Sequence, residues 1–167
     1  KTECGKILAK ILNWEFIDTD ENIKLGGKTI ESFSAEFGMD EFRRRELHAI
    51  QESLARAEKI SGCVLAMGGG FVDSVESKAA LNTWLSSQRE TAKIVWVKAK
   101  LPTIETRLQE GPVRAGGKLS PDELASLLHK RAPAYECIAN FEFDNDQNGY
   151  IAERLKDWLR GLRAYDL

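Results

Sequence analysis

Apolar positions along this chain alternate between two rhythms. Cys4, Ile7, Leu8, Ile11 and Leu12 recur at helical spacing and predict an opening helix. Trp14 to Asp18 reads as a short strand that ends in acid. Asp20 to about Leu25 predicts a short helix stopped by Gly26 and Gly27, and Thr29 is placed to cap another carrying Ile30, Phe33 and Phe37 and closed by Gly38. A long helix is expected from about Asp40 to Lys59, with Leu47, Ile50, Leu54 and Ala57 on one face. Cys63 to Met67 is an unbroken apolar run of strand length that meets Gly68-Gly69-Gly70. Helix follows from about Ser74 to Leu85, strand from Ile94 to Val97, and helix again after Pro102. The polar stretch from Glu110 to Ser120 carries Gly111, Gly116 and Gly117 and reads as a mobile loop. A helix from Pro121 to about Arg131, a strand at Phe141 to Phe143 and a helix marked by Ile151, Leu155, Trp158 and Leu159 complete the pattern.

Strand and helix alternate, and two of the strands are apolar on both faces. That combination predicts an α/β fold, a parallel sheet covered by helices on both sides. The 167 residues suit one domain with one sizeable core. A net charge of -2 gives no basic excess for nucleic acid as the main partner. No apolar run approaches the ~20 residues that span a bilayer, so no membrane partner is expected. Cys4, Cys63 and Cys137 have no metal-type spacing and read as reduced thiols in a cytosol-like compartment, with Cys4 and Cys63 in apolar settings. The sequence opens on Lys1-Thr2, which run straight into the first helix pattern.

Several segments carry possible chemistry. Asp18-Thr19-Asp20 directly follows a strand, where open parallel sheets bind ligands. One carboxylate there can hold a hydrated cation while the other accepts a hydrogen bond from a hydroxyl; alternatively both are helix N-cap acids. Gly68-Gly69-Gly70 allows close backbone approach, with N–H groups for oxyanions or hydroxyls, or is a plain tight turn. In Phe42-Arg43-Arg44-Arg45-Glu46, Glu46 can pin Arg43 by an i,i+3 pair, leaving a guanidinium fit to fork a carboxylate. Arg44 and Arg45 read as a solvated charge run. Arg131, beside Pro133, offers a second guanidinium, or a cation that suits a helix C-terminus. Arg107 and Arg114 flank the glycine-rich loop as nucleotide clamps or as surface charges. His48 and His129 read as helix-surface residues, and Phe33 and Phe42 as core or as apolar walls of a pocket.

Taken in order, these segments resemble the shikimate kinase family along nearly the whole chain. Lys1 to Lys6 looks like the tail of a P-loop and its helix, and Phe16 to Asp20 like the strand ending in paired aspartates. Gly38 to Glu46 resembles the Phe-Arg-x-x-Glu element, Val64 to Gly70 the strand before a triple glycine, and Lys130 to Tyr135 the element after the lid. The resemblance implies a three-layer α/β/α P-loop kinase domain over residues 1–167, with substrate-binding helices at about 20–60 and a lid at about 110–120. It implies transfer of the γ-phosphoryl group of ATP to the 3-hydroxyl of shikimate, giving shikimate 3-phosphate and ADP on the way to chorismate and the aromatic amino acids. Roles carried over are Lys1 on the β- and γ-phosphates, Thr2 and Asp18 on Mg²⁺, and Asp20 on the reacting hydroxyl. Arg43 and Arg131 would grip the substrate carboxylate and Gly69 and Gly70 would meet it with N–H groups. Phe33, Phe42 and Glu46 would shape the pocket, Arg107 would lie against adenine, and Arg114 would be the lid cation. A cytoplasmic monomer is the family expectation.

The chain departs from the family pattern in two places. Of G-x-x-x-x-G-K-[ST] only the last two residues stand here, so a strand and a Gly-rich loop are expected ahead of Lys1 in the natural protein. The lid reads Pro112-Val113-Arg114-Ala115 where the family has Arg before Pro, which leaves the register of Arg114 open by a residue or two. Alternative readings are another small-molecule P-loop kinase, such as a gluconate or nucleoside-monophosphate kinase, or a kinase-like module without catalysis.

Overall fold

The computed structural model describes residues 1–88, 91–110, 119–146 and 150–163. Helix α1 (Thr2–Leu12) leads into strand β1 (Glu15–Asp18) through Asn13, whose φ of 55° closes the helix in the left-handed conformation that Asn tolerates. Helices α2 (Ile30–Phe37) and α3 (Met39–Ala57) then carry the chain to β2 (Cys63–Ala66). A 3₁₀ turn (Phe71–Asp73) and α4 (Val75–Ser87) precede β3 (Val95–Lys98). Helices α5 (Leu101–Glu110) and α6 (Pro121–Ile138), strand β4 (Phe141–Asp144) and α7 (Ile151–Arg163) follow.

The strands form two parallel pairs. β1 lies beside β2 with Asp18 opposite Ala66, and β3 beside β4 with Lys98 opposite Asp144. Parallel neighbours need a long crossover, which α2–α3 and α5–α6 supply. No strand joins the pairs among the described residues. Alternation along β3 explains the layers: Val95 and Val97 pack with Cys4, Phe143 and Leu155 beside α1 and α7, whereas the Trp96 ring meets Tyr135 of α6. The second core gathers Ile50, Leu54, Phe71, Val72 and Leu81, with Leu65, Trp84 and Tyr135 against it. Helices thus cover both faces, as the alternating pattern predicts.

The expected cap at Thr29 forms, and the structure adds two that the sequence reading did not name. Thr29 Oγ1 accepts from the Ser32 N–H at 3.2 Å and Ser74 Oγ from that of Ser77 at 3.1 Å. Ser120 and Glu123 make a reciprocal capping box. Two expectations are corrected. Residues 20–25 are a turn followed by irregular backbone, not helix, with only i to i+3 backbone bonds at Asn22 and Ile23; positive φ at Gly26 (62°) and Gly27 (78°) turns the chain away after too few residues to nucleate a helix. Helix α6 does not end near Arg131 but runs through Pro133 to Ile138. Proline there costs one backbone bond, while Ala134, Tyr135 and Ile138 pack on the core and hold the following turn in place.

Cys4 is buried, Cys63 half-buried and Cys137 exposed, all of them free thiols. Burial pushes the Cys4 and Cys63 thiols up, so they stay protonated. No helix among the described residues is long and apolar enough to cross a membrane.

Candidate active site

Because β1 and β2 run parallel and in register, their carboxyl ends deliver Asp18-Thr19-Asp20 and Met67-Gly68-Gly69-Gly70 side by side. Two hydrogen bonds lock the strand ends together. The Thr19 N–H donates to the Ala66 carbonyl at 3.0 Å, and the Gly68 N–H to Thr19 Oγ1 at 2.9 Å. Thr19 is only 2% exposed; the sequence reading assigned it no role.

The N-terminus of α1 arrives at the same edge. Thr2 Oγ1 donates to Asp18 Oδ2 at 2.8 Å, and the Asp20 N–H to Asp18 Oδ1 at 3.0 Å. Lys1 Nζ lies 3.1 Å from Asp20 Oδ2 and 3.7 Å from Asp18 Oδ1. Asp18 is a buried carboxylate whose charge and lone pairs are matched, whereas the Asp20 side chain is 52% exposed. The reading of these acids as helix caps is overturned, because no helix follows Asp20. A hydroxyl beside a carboxylate is a hard-oxygen pair suited to Mg²⁺. No group of three or more His, Cys, Asp or Glu side chains among the described residues could hold a metal ion unaided. A cation at Thr2 and Asp18 would therefore complete its shell from water or from the oxygens of a bound ligand.

A second cluster sits at the far end of the glycine turn. A Cβ on Gly70 would stand 3.0 Å from Arg43 Nη1 and 3.6 Å from Arg131 Nη2, so both guanidinium groups converge there. Arg43 is pinned by Glu46 at 2.6 Å, the i,i+3 pair expected from the sequence, and lies 5.6 Å from the centre of the Phe42 ring. Glu46 is buried. Arg131 Nη2 and Nε both donate to Asp73 Oδ2, at 2.5 and 3.0 Å. Burial raises the Asp73 carboxyl, but the bonds from Arg131 and the charges of Arg131, Lys130 and Arg43 outweigh it and hold it below the usual carboxylate range. Tyr135 Oη donates to the Gly69 carbonyl at 2.6 Å, and burial pushes its phenol up.

Sequence reasoning missed Asp73 and Tyr135. The first pairs with a residue 58 positions away and the second with one 66 away, and no local spacing signals either. Since α6 continues past Arg131, that residue is not a C-terminal helix cation, and the alternative reading of it fails. Its side chain is 18% exposed and faces the glycine turn.

The remaining candidates are more dispersed. Phe33 and Phe42 are each 3% exposed. The Phe33 ring lies 4.8 Å from that of Phe37 and beneath the Arg45 guanidinium at 5.3 Å. Arg107 Nη2 donates to the Asn145 carbonyl at 2.8 Å, just beyond β4. Arg114 and the central part of the expected lid lie outside the described residues. His48 and His129 are exposed, as expected. A cleft of about 380 Å³ on the exposed face of α3, lined by Lys24, Glu41, Arg44, Arg45 and His48 among others, does not include any of the candidate residues. Its cations are matched by Glu41 and Glu52, which supports the solvated reading of Arg44 and Arg45.

Comparison with known proteins gives a consistent picture. A family model described as Shikimate kinase matches residues 1–160. The Shikimate kinase of Moorella thermoacetica is 33% identical over 97% of this chain and 91% of its own length. That of Nitratidesulfovibrio vulgaris is 33% identical over 81% of this chain and 74% of its own length. Among solved structures, a shikimate kinase from Acinetobacter baumannii in complex with shikimate superposes with a TM-score of 0.75 at 23% identity, covering 99% of this chain and 88% of that one. A shikimate kinase from Bacteroides thetaiotaomicron superposes with a TM-score of 0.74 at 26% identity, covering 98% and 92%.

Proposed function

The chain belongs to the shikimate kinase family, ATP-dependent phosphotransferases, and from that premise we propose how its own residues move the γ-phosphoryl group of ATP to the 3-hydroxyl of shikimate. The observation that carries the reading is the glycine turn. Gly68 abuts Asp20 at one end and Gly70 meets Arg43 and Arg131 at the other. A small hydroxylated acid laid along that turn has its carboxylate between two guanidinium groups and a hydroxyl beside Asp20.

Phosphoryl transfer needs charge neutralisation and in-line positioning more than covalent help. Lys1 and the first N–H groups of α1 face the β- and γ-phosphates, where a helix N-terminus favours anions. Thr2 and Asp18 would hold Mg²⁺, which would supply charge neutralisation at the phosphates. Asp20 accepts the hydrogen bond of the reacting hydroxyl and takes its proton as the oxygen attacks. Before nucleotide arrives, Lys1 lies against Asp20; phosphate binding draws the lysine toward the triphosphate and leaves Asp20 to the hydroxyl.

Arg43 and Arg131 grip the shikimate carboxylate, and the N–H groups of Gly69 and Gly70 face the substrate. Phe33, Phe42 and Glu46 shape this side, with Glu46 holding the Arg43 fork. Arg107 lies toward the adenine and Arg114 closes on the phosphates. Residues 20–60 form the substrate-binding part of a single domain and 110–120 its lid, in a protein working as a cytoplasmic monomer.

The test is a coupled assay of ADP release with shikimate, gluconate and nucleoside monophosphates as acceptors. Shikimate-dependent release is expected. Turnover of another acceptor in its place would assign a different small-molecule kinase, and no turnover with any would mark a module without catalysis.

A further inference from the structure

Asp73 closes a small ring of interactions around the glycine turn. Its N–H donates to the Gly70 carbonyl at 3.0 Å. Its carboxylate takes two hydrogen bonds from Arg131, through Nε and Nη2. Arg131 in turn lies 3.6 Å from the point where a Gly70 side chain would begin. The ring therefore fixes the guanidinium relative to the turn without occupying all of it. Asp73 takes the Nε–Nη2 edge, while Nη1 faces Gly69, 3.8 Å from its would-be Cβ. Lys130 Nζ stands 3.8 Å from Asp73 Oδ1 and adds a second cation to the same carboxylate.

We propose that Asp73 is a positioning residue that sets the orientation of Arg131 for the carboxylate of the acidic substrate. The proposal rests on the reading of Arg131 as a carboxylate ligand. An arginine side chain has several rotatable bonds, and ordering them at the moment of binding weakens affinity. Here the ordering is done beforehand. Glu46 does the same for Arg43, so each guanidinium has its own acidic anchor. Arg43, Lys130 and Arg131 outnumber Glu46 and Asp73, and the cluster keeps a positive balance for an incoming anion.

A bystander aspartate would lower affinity for an anion by repulsion, so removing it would improve binding. A positioning aspartate gives the reverse result, and the sign decides. Asp73→Ala is expected to raise KM for shikimate about 5–10-fold, more than it changes kcat or KM for ATP. Asp73→Asn, which keeps an oxygen for Arg131 but not the charge, is expected to fall between parent and Asp73→Ala. In an Arg131→Ala background, Asp73→Ala is expected to add less than about twofold, because the group it orients is gone. Should Asp73→Ala not fold, the same comparison is read from Asp73→Asn and Asp73→Ser, with melting curves for each. A KM for shikimate equal to or below the parent's in the Asp73 variants overturns the inference, provided Arg131→Ala raises it. If Arg131→Ala itself leaves KM unchanged, the carboxylate-ligand reading is lost first and this inference with it.

Discussion

Thr2 Oγ1 donates a 2.8 Å hydrogen bond to Asp18 Oδ2, tying the first residue of α1 to the last residue of β1. The helix start and the strand end are thereby one unit, and the oxygens of that unit are those proposed for the metal ion. Thr2→Val, which keeps the shape and removes the hydroxyl, is expected to raise the Mg²⁺ concentration needed for half-maximal rate and to lower kcat about tenfold, roughly 1.4 kcal/mol. Rate measured against Mg²⁺ at saturating ATP checks it. An unchanged Mg²⁺ curve would remove Thr2 from the metal site.

Asp20 differs from Asp18 in being half-exposed and placed between Lys1 and Gly68. Asp20→Asn keeps the size and removes the base. It is expected to lower kcat by about 10²–10⁴-fold while KM for ATP stays within a few-fold. Steady-state kinetics with each substrate varied in turn separates the two. Full activity in this variant would leave Asp20 only its contact with Lys1.

Gly68 is a position of close approach. A Cβ there would collide with Asp20 Oδ1. Gly68→Ala is expected to push the Asp20 carboxylate aside and lower kcat at least tenfold, with a smaller loss of stability, since the Gly68 N–H to Thr19 bond can persist. Comparing the change in kcat with the shift in melting temperature tests this, and parallel losses in both would indicate general damage to the turn.

The Tyr135 phenol holds the Gly69 carbonyl while its ring packs 5.7 Å from that of Trp96 and 6.3 Å from that of Phe71, centre to centre. Tyr135→Phe keeps the packing and loses the bond. The expected cost is about 1 kcal/mol, seen as a melting temperature lower by about 2–4 °C for a domain of this size.

Asp73 also gives stability a pH dependence. Its carboxyl is held low in the fold, chiefly by Arg131 overcoming the effect of burial. A depressed folded pKa stabilises fully above the unfolded value of about 3.9, and that contribution is lost as pH falls through the folded pKa. Parent protein is therefore expected to lose stability more steeply below about pH 4 than Asp73→Asn. Denaturant midpoints at a series of acidic pH values check the slope.

Much of this was legible from local pattern. The acid-ended strand, the triple glycine and the Arg43–Glu46 spacing each depend on neighbours within a few residues, and each formed as expected. What could not be read is contact across the chain. Asp73 is an unremarkable acid before a helix until α6 brings Arg131 against it. Thr19 looks like a spacer between two aspartates until β2 places the Gly68 N–H over its hydroxyl. The helix predicted at residues 20–25 failed because six residues with two positive-φ glycines behind them cannot offset the cost of a first turn. Helix α6 outran its proline because packing on the core supplied more than the missing backbone bond removed.

The three glycines also act as a gauge. One end of the turn is fixed by Asp20 and the other by paired guanidinium groups, and successive Cα atoms are about 3.8 Å apart. On the proposed reading, the span between a ligand's acid group and its reactive oxygen is thus compared with a short stretch of backbone whose two ends lie beside these side chains. On that reading, a molecule too long or too short for that stretch would satisfy one end only, and selectivity by length is expected alongside selectivity by chemistry.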